Sequence, residues 1–163
     1  MGFEDLSHGV KTDEIDLQII KILNQNGRAS FARIAQSLGV SPGTIRQRYN
    51  RLVDEGVVQV VAITNSMQLG LTTMAQIGVK VDGKRMQEIV DQIADFDEVI
   101  YLVLLTGSYD LFVEVVCRDR EHLLDFLTNK LHAVEGVREA ETFVYLRIAK
   151  EVYTLAGNLG LHK

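Results

Sequence analysis

The spacing of apolar residues changes once along this chain, and that change constrains the fold more than any other feature. Up to Gly56 the apolar side chains recur three and four residues apart, the period of a helix packed on one side. From Val57 onward they come in short runs suited to strands, with helical stretches between them. A chain of 163 residues split in this way suits two small domains. Each would bury a modest core, so partner chains are an expected part of the assembly.

The first part reads as three helices. Thr12 is placed to cap the first, with Asp13, Glu14 and Asp16 in its opening turn and Ile15, Ile19, Ile22 and Leu23 as its stripe. "NGR" ends it at Gly27. Ser30 caps the second, whose stripe is Phe31, Ile34, Ala35 and Leu38, and Gly39 stops it. The third begins at once, with Ser41 as cap and the only proline, Pro42, at the first helical position. Its inward stripe is Ile45, Tyr49, Leu52 and Val53, and Gly56 ends it. Two short helices joined by a tight glycine turn and braced by a first helix make a helix-turn-helix.

Charge picks out the same segment. The chain has 17 Lys and Arg against 22 Asp and Glu, a net −5. Yet Leu17 to Val53 carries Lys21, Arg28, Arg33, Arg46, Arg48 and Arg51 and no acid at all. A basic stretch on an acidic chain is an electrostatic footprint for phosphate, or else a solvated helical face. The spacing favours the first reading. With Ile45 and its stripe inward, Gly43, Thr44, Gln47 and Arg51 point away, and Arg46 and Arg48 lie on the flanks. Ser41, Gly43 and Thr44 stand at the exposed N-terminal end, which in such motifs enters the major groove of double-stranded DNA. Gln47 suits adenine and Thr44 a base edge or methyl, while the three arginines suit phosphates or guanine.

After Gly56, Val57 to Ile63 reads as a strand and "NSMQLG" as a linker, placing the domain boundary near Asn65: a helix-turn-helix domain with hinge strand over 1–64, and a second domain over 65–163. The second part reads strand (Met74 to Val81), helix (Lys84 to Phe96), strand (Val99 to Leu105), the turn "TGSYD", strand (Leu111 to Cys117), helix after Asp119, and a long strand from Ala140 to Val152. The order β-α-β-β-α-β is the split, ferredoxin-like arrangement with both helices on one sheet face. The expected class is α+β: a winged-type helix-turn-helix followed by this ferredoxin-like domain. In Val99–Leu105 both alternating sets are apolar, Tyr101 and Val103 on one side, Leu102 and Leu104 on the other. Helices cover only one face, so the second is expected to meet another sheet, most simply that of an identical chain.

"TDEIDLQIIKILNQNGRASFARIAQSLGVSPGTIRQRYNRLVDEGVV", the hinge strand and "TGSYDLFVEV" within that second domain together resemble the Lrp/AsnC (feast–famine, leucine-responsive) transcription regulators, over roughly residues 12 to 155. The resemblance implies a DNA-binding half and a half that assembles subunits and senses a small-molecule effector, usually an amino acid. It implies homodimers, often closed into octamers of four dimers, and an effector held between dimers near the turn that here is Thr106, Gly107, Ser108, Tyr109 and Asp110. Many members carry Asp-Pro after the hinge strand where this chain has Asn65-Ser66.

Read without the family, the turn has two meanings. Gly107 permits φ > 0 and Asp110 can bond nearby backbone N–H groups, which makes a hairpin turn. Alternatively Asp110 pairs with an α-ammonium, and the N–H groups of Gly107 and Ser108 bond a carboxylate. No cofactor or metal is expected. His8, His122, His132 and His162 lack ligand spacing and read as surface histidines, and one cysteine supports no zinc site. No phosphate-binding glycine loop or nucleophile elbow is present. The longest apolar run, Val99 to Leu105, is too short for a bilayer, and the lone Cys117 suits a reducing cytoplasm, with the nucleoid as the expected address. Two rival readings stay open. One is an enzyme, since sirohaem decarboxylases resemble the same two-domain plan. The other is an architectural protein that wraps DNA without an effector.

Overall fold

The structure, a computed structural model, describes residues 10–151. His8, His162, the first nine residues and the Val152 end of the expected last strand lie outside that range. Helix α1 runs Glu14–Gln25. Its cap is Asp13 rather than Thr12: the Asp13 carboxylate accepts the Asp16 N–H at 3.0 Å and the Asp16 carboxylate accepts the Asp13 N–H at 3.1 Å. This reciprocal box satisfies two N–H groups that the first turn would otherwise leave open, which a threonine one residue earlier does not do.

Helix α2, Phe31–Leu38, is capped by Ser30 and ends at Gly39 with φ 66°, a conformation that a side chain would strain. Helix α3, Pro42–Asp54, follows with Ser41 as its cap. The three stripes meet in one core of Ile19, Leu23, Ile34, Ala35, Ile45 and Leu52. Each fully buried Ile or Leu contributes about 1.5–3 kcal/mol. The rings of Phe31 and Tyr49, 5.1 Å apart, close one side. Val53, expected inward, is 39% exposed; Leu52 already fills that position, and the next residue turns out of the stripe.

The segment expected as a strand, Val57 to Ile63, pairs with nothing among the described residues. The N–H groups of Val57 and Val58 return to the Leu52 carbonyl, and Val58 packs on the helical core. Val60, Val61 and Ile63 are left exposed. β-propensity is met here without a neighbouring backbone, and a ladder needs one. Asn65 caps a single 3₁₀ turn, Ser66–Leu69. Contacts set Ile63–Lys150 apart as one unit from the described residues up to Ala62.

The second unit is a four-stranded antiparallel sheet in the order β2-β3-β1-β4. Its strands are β1 (Thr73–Val81), β2 (Val99–Leu104), β3 (Leu111–Cys117) and β4 (Val137–Val144), with α4 (Met86–Ala94) and α5 (Arg120–Asp125) in the crossovers. The ferredoxin-like order is therefore met. Strand β4 begins three residues earlier than expected, because Val137 pairs with Val81 past an irregularity at Lys80, and it stops where Val144 meets Ala75. The helix after Asp119 is not uniform. Beyond α5 it widens into a π turn over Phe126–Lys130 and tightens into a 3₁₀ turn over Leu131–Ala133. Phe126 and Leu131, five residues apart, are both fully buried as a result.

Ala75, Ile77, Val79 and Val81 of β1 and Leu111, Val113, Val115 and Cys117 of β3 face the helices and pack on Ile89, Ile93, Leu123 and Phe126. Burial pushes the Cys117 thiol up to about 11, so it is an inert core group. Register puts Leu102 opposite Val113, on the helix side, and Tyr101 opposite Glu114 and Val103 opposite Phe112, on the uncovered side. Glu98, just before β2, is buried and accepts from His122 Nε2 at 2.9 Å and Lys130 Nζ at 2.8 Å. His122 Nδ1 accepts the Arg118 N–H at 3.2 Å, so Nε2 carries the proton. His122 is thus a structural bond rather than a free surface histidine; His132 is exposed as expected.

Candidate nucleic-acid interface and effector turn

The exposed face of α3 is built from its first turn. Ser41 Oγ accepts the Thr44 N–H at 3.1 Å and shares a 2.9 Å hydrogen bond with Thr44 Oγ1, so both hydroxyls help fix the start of the helix. Ser41, Gly43, Arg46 and Gln47 are exposed and Thr44 is half-buried. The Arg46 guanidinium lies 6.0 Å from the centre of the Phe31 ring, which steadies it at the surface.

Arg48 and Arg51 are placed differently from Arg46. Arg48 Nη1 donates to both Asp13 oxygens at 2.7 Å and to Asp16 Oδ1 at 3.0 Å. Arg51 Nη2 donates to Asp16 Oδ2 at 2.5 Å. Asp16 is 1% exposed. Burial pushes its carboxyl up, but the Asp13 N–H and the two guanidiniums outweigh this and hold it below the ordinary carboxylate range. The Arg48 guanidinium lowers Asp13 in the same way. These groups, with Lys11 and Gln47, line an open recess of about 410 Å³. Sequence reasoning missed the pairing because the acid-free stretch was counted from Leu17, one residue after Asp16.

In the second unit the turn keeps its expected glycine, with Gly107 at φ 147°. Asp110 is tied into the sheet. Its N–H donates to the Val79 carbonyl at 2.9 Å, its carbonyl accepts the Leu105 N–H at 2.8 Å, and its Oδ2 accepts the Val81 N–H at 2.9 Å. Tyr109 lies flat over Gly78, where an added Cβ would come within 2.8 Å of three ring atoms. A glycine inside a strand often marks such an approach. The Tyr109 hydroxyl donates to Glu141 Oε2. Lys80 Nζ meets Glu139 Oε2 at 2.7 Å.

Beside the turn, Lys80, Ser108, Tyr109, Glu139 and Glu141 surround a recess of about 190 Å³. Ser108 and Tyr109 of the expected site line it; Thr106, Gly107 and Asp110 do not. The β4 carboxylates were missed in the sequence. The signal was the β1–β4 adjacency of the ferredoxin-like order, which sets Glu139 opposite Lys80 and Glu141 opposite Gly78. No group of three or more metal-ligating side chains occurs among the described residues, and no helix there is long and apolar enough to cross a membrane.

A helix-turn-helix joined to a ferredoxin-like domain defines a class of DNA-binding transcription regulators, and comparison with known proteins narrows it. Residues 12–59 match the model for winged helix-turn-helix DNA-binding domains, and residues 74–155 match that of the Lrp/AsnC ligand binding domain. An uncharacterised HTH-type transcriptional regulator of Pyrococcus horikoshii is 33% identical over 148 residues, covering 90% of this chain and 94% of that one. AsnC of E. coli superposes with a TM-score of 0.81 at 28% identity, covering 87% of this chain and 97% of AsnC. A transcriptional regulator of Neisseria meningitidis, solved as a complex with L-Met, has the same fold at 23% identity, with a TM-score of 0.82 and coverage of 91% and 100%. The chain belongs to the Lrp/AsnC family of transcription regulators.

Proposed function

We propose that this regulator reads DNA with the exposed start of α3 and that an amino acid or related metabolite, bound beside the Gly107 turn, adjusts that reading through the assembly of subunits. Ser41, Gly43, Thr44 and Gln47 approach the base edges and Arg46 a phosphate or guanine. Arg48 and Arg51 contribute less charge than their number suggests. The observation that carries the effector half is the recess beside the turn. It offers a lysine, two carboxylates and two hydroxyls within one small space, a set suited to a zwitterion. The regulator solved with L-Met is a relative in fold that binds an amino acid. Glu141 takes the α-ammonium, the Ser108 side and Lys80 take the carboxylate, and Asp110 fixes the turn. Residues 1–64 form the reading domain and linker and 65–163 the sensing domain, which assembles into homodimers and octamers of four dimers. The protein acts in the cytoplasm at the nucleoid.

Two measurements test this. Calorimetric titration of the twenty amino acids into the purified chain is expected to find a binder whose affinity falls in Glu141→Gln. Footprinting of Gln47→Ala is expected to lose discrimination at one base position, about 1–3 kcal/mol. An unchanged footprint removes Gln47 from the groove, and no binder among the twenty removes the amino acid.

A further inference from the structure

We infer that Asp13 and Asp16 tune the affinity and salt dependence of this DNA interface by holding Arg48 and Arg51 out of phosphate contact, so that charge contributes less to binding and base readout a larger share. The inference rests on the reading of α3 as the recognition helix. Two of the six cations in the acid-free stretch from Leu17 to Val53 lie on α3 beside Gln47, in one recess. Both are met there by acids from the start of α1, at 2.5–3.0 Å. Lys11, Arg48 and Arg51 bring three positive charges to that recess and Asp13 and Asp16 return two negative ones.

The geometry leaves little freedom. Asp16 spends one oxygen on Arg48 and the other on Arg51 and the Asp13 N–H. Arg48 Nη1 spans both acids. Charge-assisted hydrogen bonds of this kind are the strong ones. The arginine side chains remain 26% and 39% exposed, so they stand at the surface, where their charge would otherwise reach a duplex.

Phosphate contacts supply affinity for every sequence, whereas base contacts discriminate among sequences. A guanidinium already balanced by a carboxylate releases fewer counterions when DNA arrives. Balancing two of them lowers non-specific affinity and leaves Gln47 and Thr44 as they were. Base readout then makes up a larger share of the affinity that remains.

The test uses the full chain with Asp13→Asn and Asp16→Asn. Asparagine is also a good helix cap, so Asp13→Asn keeps the turn while removing the charge. Binding to a random-sequence duplex and to a selected site is followed by fluorescence anisotropy over a salt series, with melting by circular dichroism as a check of folding. In Asp13→Asn the slope of log K against log salt should steepen by up to about 0.9, the share of one more phosphate contact. Non-specific affinity should rise by up to about eightfold near 0.1 M salt, the same contact expressed as a ratio. Affinity for the selected site should rise by a similar factor. Arg48→Gln should change the wild-type slope little and abolish the effect of Asp13→Asn. If Asp16→Asn does not fold, Asp13→Asn decides alone. An unchanged or shallower slope in Asp13→Asn overturns the proposal and makes the acids organisers of phosphate-binding arginines. A footprint unaltered by Gln47→Ala would instead overturn the reading of α3 itself.

Discussion

Asp110 ties the turn between β2 and β3 to the backbone of β1. Its Oδ2 accepts the N–H of Val81, a residue only 5% exposed. Removing that acceptor leaves a largely buried N–H without a partner, which costs about 1–3 kcal/mol. Asp110→Ala is therefore expected to melt earlier by that margin with or without effector, whereas Glu141→Gln should lose effector affinity and keep its melting temperature. Denaturant unfolding of both variants beside the parent checks this. If Asp110→Ala unfolds like the parent and only effector binding suffers, then the carboxylate belongs to the ligand. The sequence left both meanings of Asp110 open. A turn carboxylate and a ligand carboxylate look alike until the position of Val81 is known, and strand pairing sets that position.

At the scale of elements, what could be read was what local chemistry decides. Ser30 and Ser41 cap α2 and α3, Gly39 turns between them, and Pro42 opens α3, because each depends on neighbours within four residues. Errors arose where a distant backbone decides: Val57 to Ile63 has strand residues but no partner in the described chain, and β4 starts where Val81 receives it. Glu98 was invisible for the same reason, since its partners His122 and Lys130 lie on an element whose π turn no periodicity predicts. Burial pushes the Glu98 carboxyl up, but Lys130 and His122 more than offset it and leave it lowered. A lowered carboxyl adds stability that is fully present above its unfolded pKa and is lost as pH falls through its folded one. Glu98→Gln should thus melt earlier than the parent near neutral pH, and the gap should close as the solution is acidified through and below the ordinary carboxylate range. Thermal scans of both proteins across that window measure it, and a gap that stays constant with pH would place the role of Glu98 in packing alone.

For the whole molecule the decisive feature is the sheet face turned away from α4 and α5. Tyr101 is 50% and Phe143 45% exposed on it, with Val103, Phe112 and Val116 beside them. Its charged groups are already paired within the chain. The Tyr145 hydroxyl donates to Glu114 at 3.0 Å, Tyr109 donates to Glu141, and Lys80 meets Glu139. Burial and the Glu114 bond push the Tyr145 hydroxyl up to about 12. A face whose charges have partners can be covered at modest desolvation cost, while its aromatics supply the gain. An identical face satisfies both conditions at once, since a two-fold pairing sets the same patch against itself. Phe143→Glu would put an unpaired charge into that contact, so the variant should keep its helical and strand signal by circular dichroism but sediment as a lighter species than the parent. Val113→Asp, on the helix side and fully buried, should instead lose its cooperative melting transition. Should Phe143→Glu sediment like the parent, or the parent itself run as a single chain at micromolar concentration, the uncovered face is not where two copies of this regulator meet.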